Sequence, residues 1–276
     1  MLLGVRGHDF GRNTAEGIAK QFSEMGFSAI QLAPAKCLEG VESIDAIREE
    51  DVVALHEAMK KEGMDVAVFG CYVDLSAADE DTRQKAVGRF VQAMRWNKGI
   101  LHGRMVGSET SYGRPGKIEK RVLFPNLLRS IDKIVEEAER MGTDFALEPV
   151  AWHVCEDVET MRELIDRFRS PHFKVIFDLC NVLPRPDLLD QKAYFRYCFE
   201  LLGKEIAAIH LKDIVLDEKM QQVQVPIGKG VCDYSALAEF LADKPDMPVL
   251  REGIRKESAE ADLEAMKEIR RRAEQS

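Results

Sequence analysis

The sequence predicts a single (β/α)₈ barrel, or TIM barrel, that spans residues 1–276 as one domain. Short apolar runs alternate eight times with longer segments of helical periodicity, a pattern that requires a parallel sheet with helices outside it. A chain of 276 residues also allows about 34 residues for each strand–helix unit, a suitable length for such a barrel. No G-x-G-x-x-G follows the first run, where residues 6–12 are RGHDFGR, so a nucleotide-binding open sheet is the weaker alternative.

The eight apolar runs are short, continuous and flanked by turn residues, as expected for parallel strands buried on both faces. In chain order they are Leu2–Val5, Ala29–Leu32, Asp65–Phe69, Ile100–Val106, Phe145–Leu147, Lys174–Phe177, Ala207–Leu211 and Pro248–Leu250. Segments with the amphipathic spacing of helices lie between and after them, and they include Thr14–Met25, Arg48–Glu62, Asp79–Trp96, Phe124–Met141, Val158–Phe168 and Ala259–Arg271. Residues 103–120, after the fourth run, are predicted to form a long functional loop.

Composition excludes several classes of protein. With 45% hydrophobic and 32% charged residues the chain can bury a full core. Its 48 acidic against 39 basic residues give a net charge of −9, so we expect no nucleic-acid partner. The longest uncharged run has eleven residues where a membrane span needs about 20, and residues 1–10 lack the pattern of a secretory signal. Six scattered cysteines without a C-x-x-C pair indicate reduced thiols, so we expect a cytoplasmic protein with no membrane partner.

Ionisable residues stand at or just beyond the ends of the last four runs: Glu148, Asp178, His210 and Glu252. They are separated by 30, 32 and 42 residues, one strand–helix unit each, and barrel chemistry lies where strands end at the carboxyl face. Because unpaired buried charges are unfavourable, we expect a divalent cation to neutralise them. One nitrogen and three oxygen donors favour Mn²⁺, Mg²⁺ or Co²⁺ over a structural Zn²⁺.

Six motifs in order resemble the sugar-phosphate isomerase/epimerase superfamily of xylose-isomerase-like TIM barrels, including its ketose 3-epimerases. They are VGSET (106–110), LEPV (147–150), FDLCN (177–181), IHLKD (209–213), PIGKGVCDY (226–234) and REG (251–253). The resemblance implies that the four residues above bind one divalent ion, with Mn²⁺ preferred and Mg²⁺, Co²⁺ or Zn²⁺ as alternatives. It also implies that Glu148 and Glu252 are the catalytic acid/base pair, acting on a metal-stabilised enediolate of a small keto sugar or related polyol.

The sequence departs from the ketose 3-epimerases at two places. Asn181 stands where they carry a histidine that contacts substrate, and residues 214–216 are Ile-Val-Leu where they carry an arginine. The substrate clamp therefore differs, although Asn181 can still bind a sugar hydroxyl. The extra histidines of the related apurinic-site endonucleases are also missing, which makes a phosphodiesterase the less favoured alternative.

Further candidates for contact with the substrate lie near the same rim. Glu109 ends the fourth run, His153 follows Glu148 by five residues, and His8 follows the first run. Lys212 and Asp213 follow His210, where they could orient the imidazole or neutralise an anionic intermediate, or simply form a surface ion pair.

Three further alternatives remain open from the sequence. An inosose-type dehydratase would use the same metal site for a lyase reaction, and a barrel that binds a sugar without catalysis would use it for recognition alone. The segment 228–230, Gly-Lys-Gly, lies where barrels often bind phosphate, so a phosphorylated substrate is a further alternative. The resemblance implies a homo-oligomer as well, since dimers and tetramers are common among such barrels.

Overall fold

Eight parallel strands close a barrel in the computed structural model, which describes residues 1–183 and 190–275. The strands are β1 (Leu2–Arg6), β2 (Ala29–Leu32), β3 (Asp65–Gly70), β4 (Met105–Ser108), β5 (Asp144–Leu147), β6 (Phe173–Asp178), β7 (Ile206–Leu211), β8 (Asp213–Leu216), β9 (Gln222–Val225) and β10 (Pro248–Arg251). Around the barrel the order is β1-β10-β7-β6-β5-β4-β3-β2, and the pairing of β1 with β10 closes it. The predicted (β/α)₈ barrel is therefore confirmed.

Helices follow the barrel strands and cover the barrel from outside. They are α1 (Ala15–Glu24), α2 (Pro34–Cys37), α3 (Glu49–Lys61), α4 (Glu80–Trp96), α5 (Lys117–Met141), α6 (Val158–Phe168), α7 (Gln191–Leu202), α8 (Ser235–Leu241) and α9 (Ala259–Gln275). Thr14, Asp79 and Asp157 begin their helices by accepting a backbone N–H three residues later. At the end of α5, Gly142 adopts the left-handed conformation that glycine favours. Within the described ranges, no helix combines the length and apolarity that crossing a bilayer requires.

Alternate residues of the strands form two distinct parts of the core. A small cluster fills the barrel interior with Ala29, Ala67, Val68, Met105, Ala146, Ile176, Ala208 and Leu250. Their neighbours in sequence, such as Phe145 and Phe177, pack outward against the helices. The interior is tight: a Cβ on Gly107 would lie 2.6 Å from Ile176 Cδ1. This alternation decides which residues beyond the strand ends point into the barrel mouth.

Two boundaries differ from the sequence prediction by five residues or more. The fourth strand begins at Met105 and not at Ile100, because the end of α4 continues into a π-helical turn, Asn97–Leu101, that buries Leu101. A short apolar run cannot by itself distinguish a strand from a buried helix end. The loop after β4 is also shorter than expected, since α5 begins at Lys117 and carries Pro125 inside it.

An antiparallel hairpin is the addition to the barrel that the sequence prediction missed. Strands β8 and β9 pair between Asp213↔Val225 and Leu216↔Gln222, just after β7. The hairpin therefore lies at the carboxyl end of the barrel, beside the residues that follow the strands.

Candidate active site

The four predicted ligands point into the barrel because each stands two residues beyond a side chain of the inner core. Ala146 precedes Glu148, Ile176 precedes Asp178, Ala208 precedes His210, and Leu250 precedes Glu252 in this way. Side chains of a strand alternate between its two faces, so these four continue the inward-facing layer at the carboxyl end. All four are buried.

The ligand atoms of Glu148, Asp178, His210 and Glu252 all lie within 4.8 Å of one another. His210 Nδ1 is 3.2 Å from Glu148 Oε2 and 3.4 Å from Glu252 Oε2, so the two glutamates meet at the imidazole. Oxygen ligands lie about 2.1 Å from Mg²⁺, which puts opposite ligands about 4.2 Å apart. Shifts of a few tenths of an ångström would therefore bring the four side chains to the spacing of a divalent site.

Gln31 on β2 fixes the orientation of the imidazole. Its Oε1 lies 2.6 Å from His210 Nε2, and its Nε2 donates to the hydroxyl of Tyr72. Because Gln31 presents an acceptor, the imidazole donates from Nε2, and its Nδ1 faces the carboxylates. A histidine that ligates a metal is typically held by such a bond on its other nitrogen.

Two buried atoms of the cluster have no hydrogen-bond partner in the described part of the chain, His210 Nδ1 and Asp178 Oδ2. Lys212 Nζ lies 2.9 Å from Asp178 Oδ2, but out of line for a hydrogen bond, so this contact is an ion pair. Buried polar atoms are normally satisfied, and His210 Nδ1 faces the carboxylates of Glu148 and Glu252. The donor set and its unsatisfied atoms therefore fit a divalent cation.

Lys212 and Asn181 connect the glutamates to each other. The Lys212 ammonium lies 3.2 Å from Glu252 Oε1 and donates to Asn181 Oδ1 at 2.7 Å. Asn181 in turn donates from Nδ2 to Glu148 Oε1 at 2.6 Å. A continuous chain of hydrogen bonds thus runs from one glutamate to the other and orients both.

Arg6 and Asp9 support Glu252 from the opposite wall. The Arg6 guanidinium is 3.1 Å from Glu252 Oε1 and also pairs with Asp9. Asp9 accepts the backbone N–H of Gly253 at 2.7 Å, which connects the segment after β1 to the segment after β10. Glu252 thus has two cations beside it.

The charges of the cluster shift the pKa values of its members. Burial raises the pKa of Asp178 to about 6, although the Lys212 ammonium opposes that shift. Burial alone would lower the pKa of His210, but Glu148, Glu252 and Asp178 outweigh it and raise that pKa to about 8. Lys212 and Arg6 outweigh burial at Glu252 and hold its pKa well below its usual range. His210 thus holds a proton at neutral pH, and Asp178 holds one only below about pH 6; a bound cation would displace both protons.

The predicted residues Glu109, His153 and His8 lie around the mouth above the cluster. His153 Nδ1 accepts the backbone N–H of Ser111 at 3.2 Å, and its Nε2 lies 3.5 Å from Glu109 Oε2. Burial and the nearby Glu148 raise the pKa of Glu109 to about 7. Burial and the Arg6 charge lower the pKa of His8 to about 3, so this histidine is neutral.

Asp213 takes a different position from the other candidates. It is fully buried, and its carboxylate accepts four backbone N–H groups, from Ile214, Gly228, Gly230 and Cys232. Its contacts therefore hold the segment after β9. The same bonds occupy the amides of the Gly-Lys-Gly segment that a phosphate would require.

An open cleft of about 450 Å³ leads from solvent to the cluster. Its floor includes Asn181, Lys212 and Glu252, and the hairpin β8–β9 forms one wall with Ile214, Met220, Gln221, Gln222 and Gln224. The other residues that line the cleft are Glu109, Arg114, Ala151, Trp152 and Leu183.

Sequence reasoning missed several residues of the site. Arg6 and Gln31 occupy the inward layer because each stands two residues beyond an inward position, Gly4 and Ala29. Applying the same alternation to the first two strands would have found both. Gln224, which donates to Glu252 Oε1 at 3.4 Å, lies on the hairpin and carries no such signal.

Comparison with known proteins places the chain among barrels of this kind. The model of the family described as xylose isomerase-like TIM barrel matches residues 19–270. No curated protein sequence matches the chain significantly. Among solved structures, a D-tagatose 3-epimerase-like protein superposes with a TM-score of 0.78 at 17% identity, covering 100% of this chain and 99% of the other.

Two further structures show the same fold. The apo 3-keto-D-glucoside 4-epimerase YcjR from E. coli has a TM-score of 0.75 at 17% identity, over 98% of this chain and 99% of its own. The probable 3-DHS dehydratase AsbF of petrobactin synthesis from Bacillus anthracis has a TM-score of 0.73 at 14% identity, over 97% of this chain and 99% of its own. At such identities the likeness is one of fold.

Proposed function

Because this chain belongs to the xylose isomerase-like TIM barrel family, we propose that it is a divalent-metal-dependent isomerase or epimerase of a small keto sugar or related polyol. The observation that carries the proposal is that carboxylate oxygens of Glu148 and Glu252 both lie close to His210 Nδ1. These three residues and Asp178 form one buried cluster. A reaction in which one group removes a proton and another returns one requires two carboxylates that face the same point from different directions.

The two glutamates would carry the proton steps. A divalent ion held by Glu148, Asp178, His210 and Glu252 would polarise the carbonyl and the adjacent hydroxyl of a keto sugar and so acidify the C–H between them. One glutamate then removes that proton, and the other delivers a proton to the opposite face, which inverts the carbon centre. Delivery to the neighbouring carbon would give aldose–ketose isomerisation instead.

The cleft supports a small polar substrate. Its volume of about 450 Å³ falls in the range of small-molecule sites. We propose that Glu109, His153, Asn181, Lys212 and His8 contact hydroxyl groups of the sugar. We do not extend this role to Asp213, whose carboxylate is occupied by backbone N–H groups.

Proton exchange in deuterated water tests the proposal. Wild-type protein with Mn²⁺ should introduce deuterium into a keto sugar from a panel of free and phosphorylated ketoses. Glu148→Gln and Glu252→Gln should keep the fold and lose exchange, whereas Glu119→Gln, on the first turn of α5, should not change it. Exchange that persists with both glutamates replaced would contradict the mechanism.

A lyase is the second candidate, because Lys212 brings an ammonium to 3.2 Å from Glu252 Oε1. Removal of the same proton, followed by protonation and loss of a β-hydroxyl, would dehydrate the sugar or polyol. The product mass separates the two reactions, since dehydration releases water and epimerisation does not.

Metal content and assembly complete the proposal. We propose one ion per chain, Mn²⁺ before Mg²⁺, Co²⁺ or Zn²⁺, because the donors are three carboxylates and one imidazole. Elemental analysis that found three zinc ions per chain would favour a metal phosphodiesterase instead. A homo-oligomer stays a prediction, which light scattering can check.

A further inference from the structure

Cys180 and Cys232 bring their thiols together beside the proposed metal site. Their Sγ atoms lie 3.3 Å apart, although 52 residues separate them in sequence. A disulfide bond measures about 2.05 Å, so an approach of about 1.2 Å would suffice to form one. We propose that this pair is a site of reversible oxidative modification, at which an intramolecular disulfide forms.

Both cysteines are held in place by carboxylates. The backbone N–H of Cys180 donates to Asp178 Oδ1 at 2.8 Å, and that of Cys232 donates to Asp213 Oδ1 at 3.1 Å. Since Asp178 and Asp213 are both fully buried, the two backbones are fixed relative to the barrel. The two Sγ atoms are therefore held close to each other in the reduced protein.

The two thiols differ in their access to solvent. Cys180 is buried, whereas Cys232 is half-buried on the segment that follows the hairpin. A small peroxide can reach Cys232 first, and Cys180 is then in position to react with the oxidised sulfur. An accessible cysteine next to a resolving cysteine is the arrangement found in redox-sensitive proteins.

The chemistry balances with hydrogen peroxide as oxidant. The Cys232 sulfur attacks one peroxide oxygen, the O–O bond breaks, and one water leaves, which produces a sulfenic acid on Cys232. The Cys180 sulfur then attacks the Cys232 sulfur, the S–O bond breaks, and a second water leaves. The two thiols together lose two electrons and two protons, and one peroxide becomes two waters. A thiol reductant reverses the reaction by exchange.

The cross-link would act on the metal site through Asp178. The backbone N–H groups of Cys180 and Asn181 both donate to Asp178 Oδ1, at 2.8 and 3.0 Å. Drawing Cys180 toward Cys232 shifts the donors that orient this carboxylate. We expect the oxidised protein to bind Mn²⁺ about tenfold more weakly, the size of effect that partners of a metal ligand typically have. This consequence rests on the proposed function, whereas the cross-link itself does not.

Mass spectrometry of the full chain tests the cross-link. Reduced protein is treated with one equivalent of hydrogen peroxide, its remaining thiols are blocked, and its peptides are analysed. Wild type should lose two hydrogens, fall from six free thiols to four, and yield a peptide that joins Cys180 to Cys232. Cys232→Ser should yield no such peptide, whereas Cys198→Ser, a buried cysteine of α7, should still form it. A Cys232 that oxidises to sulfinic acid without joining Cys180 would overturn the proposal.

Calorimetric titration with Mn²⁺ tests the consequence. Oxidised wild type should bind about tenfold more weakly than reduced wild type, dithiothreitol should restore the affinity, and peroxide should not change the affinity of Cys232→Ser. If the cross-link forms and the affinity is unchanged, the link to Asp178 is wrong. If reduced wild type binds no Mn²⁺, the proposed function fails, and mass spectrometry still decides the cross-link by itself.

Discussion

Asn181 donates a hydrogen bond to Glu148 across 2.6 Å, from Nδ2 to Oε1, in the interior of the barrel mouth. The oxygen of the same amide accepts a hydrogen bond from Lys212. Turning the amide so that its oxygen and nitrogen changed places would therefore lose both contacts. In the ketose 3-epimerases that the sequence resembles, a histidine takes this position. Here the amide serves as a connector between a carboxylate and an ammonium.

Replacement of Asn181 tests that role. Asn181→Asp puts a second carboxylate against Glu148, and Asn181→Ala removes the bond. We expect both variants to bind Mn²⁺ about tenfold or more weakly, with the larger loss of exchange activity in Asn181→Asp because like charges repel. Calorimetric titration provides the affinity. Asn126→Ala, on α5, is the matched control, and equal affinities in all four proteins would contradict the assignment.

Lys212 stabilises the metal-free protein by its position between Asp178 and Glu252. In the presence of a chelator, Lys212→Met should lose about 3 kcal/mol of the free energy of unfolding, because it leaves the buried Asp178 without its cation and Glu252 with Arg6 alone. Added Mn²⁺ should restore part of that loss, so the variant should gain more from the metal than wild type does.

Thermal and urea unfolding, with EDTA and with Mn²⁺, provide these values. Lys229→Met, a substitution in the Gly-Lys-Gly segment, is the control. A metal-induced stabilisation that is the same in Lys212→Met as in wild type would show that the ammonium and the cation do not share the same carboxylates.

Asp213 is expected to matter for stability and not for metal binding. Asp213→Ala leaves four backbone N–H groups without their acceptor and should lower the free energy of unfolding by about 2–3 kcal/mol. Urea unfolding measures the loss, with Asp132→Ala on the surface of α5 as the control. A weakened Mn²⁺ affinity at unchanged stability would return Asp213 to the role that the sequence suggested.

The raised pKa of Glu109 predicts a dependence of stability on pH. Burial and the nearby Glu148 raise its pKa to about 7 in the folded chain, from a usual 4.5. Between these values the folded state binds more protons than the unfolded state, so this group makes stability fall as pH rises from about 4.5 to about 7. The Glu109 side chain is 36% exposed, so solvent screening limits the effect to about 1 kcal/mol or less.

Glu109→Gln removes this pH-dependent contribution to the free energy of unfolding. In the presence of EDTA, the variant should gain stability relative to wild type at pH 8 but not at pH 4, as measured by urea unfolding at both pH values. Glu119→Gln, also on the stretch after β4, should follow wild type. A constant difference between Glu109→Gln and wild type across this range would show that Glu109 titrates normally.

Strand alternation explains why much of the site could be predicted. Glu148, Asp178 and Glu252 each follow a short apolar run. Because side chains alternate between the two faces of a buried parallel strand, the run predicts which of the next residues points into the barrel. The hairpin β8–β9 was missed because each of its strands has only four residues: β8 follows the end of β7 almost directly, and β9 (Gln222–Val225) is partly exposed and half polar. The bonds of Asn181 depend on side chains from other strands, so no local pattern could predict them.

The bond between Gln31 and His210 joins residues that are 179 positions apart. The imidazole is therefore oriented by a strand from the first quarter of the chain, although its carboxylate neighbours all come from the second half. A chain that had assembled only its later strands would present the ligands with the imidazole free to rotate. Tight binding of a cation would thus require a closed barrel. Separately expressed halves of the chain should regain tight cation binding when they recombine.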